Sequence, residues 1–224
     1  MTVHKQMKIR NDGGGSYELF LYDEIGSDWF GGISAATMGK QLAELADAKD
    51  ITLRVNSPGG DVFDGLAMYN LLARHTANIS VKVDGLAASA ASIVAMAGDS
   101  IEMADNALMM IHRAWTVTGG NAEQLRETAE LLETIDGQIL ATYGKRATVA
   151  ESELRAMLDA ETWLTASEAV EFGLADSVTD NMAVAAHVPA GRYNRTPLAL
   201  TETVEPEPAP AWRREAAKRK LAIG

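Results

Sequence analysis

An α/β fold with a largely parallel sheet is predicted by three observations. Short apolar stretches alternate with helical patterns along most of the chain. Two of those stretches run straight into small-residue turns that open helices. A hydrophobic content of 47% over 224 residues suits one domain with a sizeable core, followed by a tail. Strands alternating with helices in this way imply right-handed βαβ units.

Taken in order, residues 1–16 form a polar lead that ends in Gly13-Gly14-Gly15 and is expected to be flexible. Residues 17–22 (YELFLY) are an aromatic strand candidate. Met38, Leu42 and Leu45 stand at helical spacing, so residues 34–46 read as an amphipathic helix with Ser34 as its cap. A strand over 51–55 leads into Asn56-Ser57-Pro58-Gly59-Gly60, and Val62, Leu66, Tyr69 and Leu72 mark a second helix. Residues 79–83 form a further strand, followed by Gly85 and a helix of small residues over 89–97. Residues 101–103 and 108–111 are strand candidates. The longest helical pattern covers 122–143, with Leu125, Leu132, Ile135 and Ile139 on one side. The ordered domain is expected over 17–180. From 181 to 224 the chain turns Pro-rich and acidic, then basic, a composition that suits a disordered tail better than a second domain.

Composition narrows the function. A formal charge of −11 disfavours a nucleic-acid partner, since tracking phosphates needs a basic excess. Cysteine is absent, which removes disulfides, thiol nucleophiles and thiolate-bound metals. The four histidines are scattered without metal-ligand spacing, so neither a metal nor another cofactor is expected. The N-terminus does not resemble a signal peptide, and the most apolar stretch, 85–98, is short for a membrane span. A soluble, cytoplasmic protein is the expectation.

Three segments carry chemistry. In residues 56–61 (NSPGGD), Pro58 keeps the chain extended before it, and paired glycines allow a backbone that bares an N–H toward an anion. A plain βα turn accounts for the same residues equally well. Residues 85–92 (GLAASAAS) follow a strand and open a helix, so that the N–H of Ala90 would face an oxygen held beside Ser89. Alone, such residues are more often helix-packing residues. Residues 108–112 (LMMIH) end an apolar strand in His112, a position that by itself is more often structural.

Together and in this order, NSPGG, GLAAS and MMIH resemble the ClpP (caseinolytic protease) family. Residues 161–178 (ETWLTASEAVEFGLADSV) resemble the segment that follows its long helix. The likeness runs from about Tyr17 to Val178. It is closest to the ClpP-like head-maturation proteases of tailed phages in residues 54–70, 83–99 and 159–169.

The resemblance implies the ClpP/crotonase-type spiral of ββα units. It implies a serine endopeptidase with Ser89 as nucleophile, His112 as base and backbone oxyanion donors at Gly60 and Ala90. Ser92 is a competing nucleophile. The acid of the triad falls at Glu161, where the family usually has aspartate, with Asp159 as the alternative. The implied partners are a protein substrate, which for a phage enzyme is capsid or scaffold protein, and further copies of the chain in a ring joined through the 122–143 helix. An ATPase partner is left open. A crotonase-type acyl-CoA enzyme and a non-catalytic shell protein share the fold, but a serine–histidine pair argues against the first. A serine–lysine variant has no lysine nearer than Lys82.

Overall fold

The computed structural model of the chain describes residues 7–26, 32–180, 188 and 192–197. Strands β1 (Lys8–Gly13) and β2 (Ser16–Leu21) form an antiparallel hairpin. Its turn places Gly14 and Gly15 at φ +65° and +92°, a region that glycine enters without a Cβ clash. The part of the lead from Lys8 onward, expected to be flexible, is therefore an edge strand, and the glycines make the turn. Helix α1 (Ala35–Glu44) follows, with the Ser34 side chain accepting from the N–H of Thr37 as the sequence suggests.

The rest of the order is β3 (Asp50–Ser57), α2 (Val62–Ala73), β4 (Asn78–Ala88), α3 (Ala90–Ala95), β5 (Ser100–Ala104) and β6 (Leu108–Ile111). Then come α4 (Ala122–Gly144), α5 (Glu151–Asp159), β7 (Thr162–Thr165), α6 (Ala166–Glu171) and β8 (Ser177–Thr179). The main sheet runs β1-β2-β3-β4-β5-β8, and every pair after the first is parallel. Ile51, Leu53, Val55, Ile79, Val81 and Val83 alternate with solvent-facing residues and fill the core beneath the helices.

The feature that positions the site is a change of partner along β4. Residues Ser80–Val83 pair with β5, whereas Leu86, Ala87 and Ala88 pair with Leu108, Met109 and Met110 of β6. Asp84 sits buried at this change of course, with its carboxylate taking hydrogen bonds from Arg54 of β3 and from the Tyr22 hydroxyl at 2.5 Å. β6 in turn pairs antiparallel with β7, so that the two extend the same sheet as a branch from the end of β4. The C-terminal ends of β4 and β6 thus leave the sheet side by side.

Helix α4 divides in two. Ile135, Ile139, Leu140 and Tyr143 are buried in the core, but the first half stands clear, with Leu125 and Leu131 about half exposed. Helices α5 and α6 were not legible as separate elements. α6 owes its start to a capping box in which Thr165 and Glu168 exchange hydrogen bonds.

Of the expected tail 181–224, only residue 188 and residues 192–197 are described; the acidic Pro-rich and basic stretches lie outside the described residues. Val188 and Tyr193 are buried in a small cluster with Leu86, Ala88 and Met110. Among the described residues no helix is long and apolar enough to cross a membrane.

Candidate active site

β4 ends at Ala88 and α3 begins at Ala90, so the whole strand-to-helix turn falls on Ser89. That residue has φ 55° and ψ −126°, outside the regions a side-chain-bearing residue prefers. Such strain, of order 1–3 kcal/mol, persists only where the surroundings impose it. Here the Ser89 N–H donates to Met110 O of β6 at 2.9 Å, and Ser89 O accepts from the N–H groups of Ser92 and Ile93. A serine on a sharp turn of this kind presents its Oγ off the end of the sheet. The hydroxyl does not cap α3. It meets His112 Nε2 at 2.7 Å instead. His112 is delivered by β6, whose Met109, Met110 and Ile111 are fully buried and hold its backbone in place.

Ser92, the competing nucleophile, is fully buried. Its hydroxyl lies within 2.6 Å of Ser89 O, 2.9 Å of Met110 O and 2.8 Å of the Tyr143 hydroxyl. It ties the Ser89 turn to β6 and α4 and has no access to a substrate.

The two acids separate clearly. Asp159 is exposed and paired with Arg113, whose guanidinium holds its carboxyl below the usual range. Glu161 is buried, at φ 50° just before β7, and its charge favours a protonated His112. Its oxygens accept from the N–H of Asn194 at 2.9 Å and of Arg195 at 2.5 Å. Burial outweighs the Glu161 charge at the imidazole, so the His112 pKa lies below its ordinary 6.5, and Arg192 lowers it further.

The glycine turn stands against the serine turn. A Cβ on Gly59, at φ +84°, would fall 2.4 Å from Ala88 O, 2.9 Å from Ser89 Cβ and 3.0 Å from Ala90 N. A Cβ on Gly60 would fall 1.8 Å from Ile25 O. Only glycine permits both approaches. Ser57 braces the turn by donating to Asp23 O and accepting from Gly59 N, while Ile25 bonds Gly59 O and Asp61 N on either side of Gly60. Gly60, Ala90, Ser89 and His112 line one cavity of about 900 Å³. Phe63, Ile93, Trp115, Leu131 and Ile135 give it apolar lining.

The structure therefore brings Ser89, His112, Gly60 and Ala90 to one cavity, with the Glu161 charge acting on His112 while its oxygens bond Asn194 and Arg195, and with Asp159 paired to Arg113. Sequence reasoning missed Ile25, Ser57 and Tyr193. Ile25 acts through its backbone and Ser57 through its hydroxyl on neighbouring backbone groups, and Tyr193 comes from a part of the chain with no motif.

A mostly parallel sheet that delivers a serine and a histidine to one cavity has the form of a serine-hydrolase scaffold. The family model described as Clp protease matches residues 16–182. The chain belongs to the Clp protease family. It is 31% identical over 174 residues to the ATP-dependent Clp protease proteolytic subunit 1 of Protochlamydia amoebophila, covering 74% of this chain and 82% of that one. The corresponding subunit of Bacteroides fragilis is 29% identical over 150 residues, 65% of this chain and 72% of that one. A solved structure of a ClpP1 mutant from Listeria monocytogenes superposes with a TM-score of 0.64 at 21% identity, over 73% of this chain and 91% of that one. The fold expected from the resemblance is the fold found.

Proposed function

We propose that the chain is a serine endopeptidase in which Ser89 attacks and His112 is the general base. The observation that carries this reading is the 2.7 Å contact between Ser89 Oγ and His112 Nε2, made by a serine held in a strained turn at the mouth of a cavity. Serine is a weak nucleophile until an adjacent base takes its proton. As Oγ bonds to the scissile carbonyl carbon, that proton passes to Nε2, and the carbonyl oxygen gains charge beside the N–H groups of Gly60 and Ala90. Collapse breaks the C–N bond, and His112 returns the proton to the departing amine. Water, deprotonated by His112, then releases the acyl-serine. Glu161 stabilises the imidazolium that forms in each half.

The relatives are named as proteolytic subunits, which supports a protein substrate and an assembly with other chains; in this reading copies of the chain form a ring in the cytoplasm, with the exposed first half of α4 available for contacts between them. We place the natural substrate among phage capsid or scaffold proteins, on the strength of the motifs over 54–70, 83–99 and 159–169. Co-expression with such a protein tests this. Shortening by the wild type and not by Ser89→Ala supports it, while an uncut protein beside active peptide hydrolysis removes it.

The acid is tested separately. Glu161→Gln should lower kcat by tenfold or more, because the carboxylate charge facing His112 is lost. Asp159→Asn should change it less than threefold, because Asp159 meets only exposed Arg113. Steady-state kinetics on a fluorogenic peptide reads both, and the reverse ranking moves the role to Asp159.

A further inference from the structure

The segment 192–195 touches the base, the glycine turn and the candidate acid. Tyr193 is 7% exposed, and its ring meets the His112 imidazole edge-on at 5.1 Å and Trp163 of β7 at 6.2 Å. Its hydroxyl donates to Pro58 O, the carbonyl that precedes the Gly59-Gly60 turn. The following two N–H groups, of Asn194 and Arg195, are those that hold the Glu161 carboxylate. The Arg195 guanidinium also donates to Ala160 O at 2.8 Å. At the other end Arg192 is paired with Glu24, one residue before the strut at Ile25. The Tyr193 hydroxyl also stands within hydrogen-bond reach of the Ser89 side chain. Ser89, His112, Gly60 and Ala90 still line the cavity, with Arg192 and Tyr193 as part of its wall.

We infer that Tyr193 is a positioning residue for the reaction, and that the strap 192–195 completes the active site by locking the base, the oxyanion turn and the acid to one another. The inference rests on the serine-peptidase reading. The base needs a fixed ring plane for Nε2 to face Oγ, and the Tyr193 ring supplies the packing partner on that side. The turn needs a fixed Pro58–Gly59 peptide, and the Tyr193 hydroxyl anchors its carbonyl. The buried Glu161 carboxylate needs hydrogen-bond donors to be held in place, and two backbone N–H groups provide them.

The test compares Tyr193→Ala and Tyr193→Phe in the full-length chain, with a fluorogenic peptide and with NMR titration of 13C-labelled His112. The charged groups facing the imidazole are Glu161 and Arg192, while Arg113 is engaged by Asp159 and Asp136. Removing the ring hydrates the imidazole and loosens Arg192, and both changes raise the His112 pKa toward its ordinary value. Tyr193→Ala should therefore lower kcat tenfold or more, with a smaller change in KM, and move the acid limb of kcat/KM upward. Tyr193→Phe keeps the ring and should restore the acid limb, while losing about three- to tenfold in kcat with the Pro58 bond.

Tyr193→Ala as active as wild type with an unmoved His112 pKa overturns the inference, and higher activity shows the strap to be an inhibitory cover. If the alanine variant fails to fold, a Tyr193→Phe kcat equal to wild type overturns it alone. The titration separates the two layers. A wild type without Ser89-dependent hydrolysis defeats the peptidase reading, whereas the His112 pKa reports on the strap whether or not the peptide is cut.

Discussion

Ser89→Ala is expected to abolish peptide hydrolysis, with a loss of order 10⁶ in kcat, as when the nucleophile of a complete triad is removed. The fold should survive. The Ser89 hydroxyl bonds to His112 and does not cap α3, so the helix keeps its start and the backbone bonds to Met110 remain. Alanine has the same Cβ and no more strain at φ 55° than serine. A fluorophosphonate probe should label the wild type on Ser89 and leave the variant unlabelled. Circular dichroism and sedimentation should be unchanged between them. Activity within a few-fold of wild type would refute the assignment. Ser92 could not then take over without its burial against Tyr143 being undone, because its hydroxyl is enclosed by three partners.

His112→Ala should cost nearly as much as Ser89→Ala, and the double variant little more than either. The two side chains act through one proton transfer, so removing either removes the step. Multiplicative losses in the double variant would mean that the 2.7 Å contact is not used. The pH profile gives an independent reading. His112 must be neutral to accept the proton, so kcat/KM rises with pH as the imidazolium deprotonates. Burial and Arg192 favour the neutral ring, Glu161 opposes them, and the net direction is downward from 6.5. The acid limb should therefore lie below pH 6.5, leaving the enzyme close to full activity at neutrality. A limb above 6.5 would show that the Glu161 charge, not burial, dominates at the imidazole.

The sequence by itself determined the α/β class and the order of the elements from β2 through α4, and its motifs named Ser89, His112, Gly60 and Ala90 through a family resemblance. Those features are local. Ser34, with Met38 and Leu42 one turn apart, specifies α1, and the alternation of Ile51, Leu53 and Val55 specifies a strand with one face in the core. NSPGG, GLAAS and MMIH each have a plain structural reading alone, and were readable only together and in order, through their resemblance to the ClpP family. β1 was read as a flexible lead because KIRNDG is polar, and an edge strand exposed on nearly every residue leaves no apolar pattern. The separation of Glu161 from Asp159 was equally hidden. Two residues apart in sequence, they part because Asp159 closes α5, whereas Glu161 turns at φ 50° into β7.

Only the tertiary structure decided how β4 exchanges β5 for β6 at Asp84, which is what sets Ser89 beside His112 across 23 positions of sequence. It alone brought Tyr193 onto the imidazole and Ile25 against Gly60. Contacts of that kind join residues far apart in sequence through backbone carbonyls and ring edges, which any residue or any aromatic could supply. They leave no composition or spacing to read, and they exist only once the sheet has closed its register.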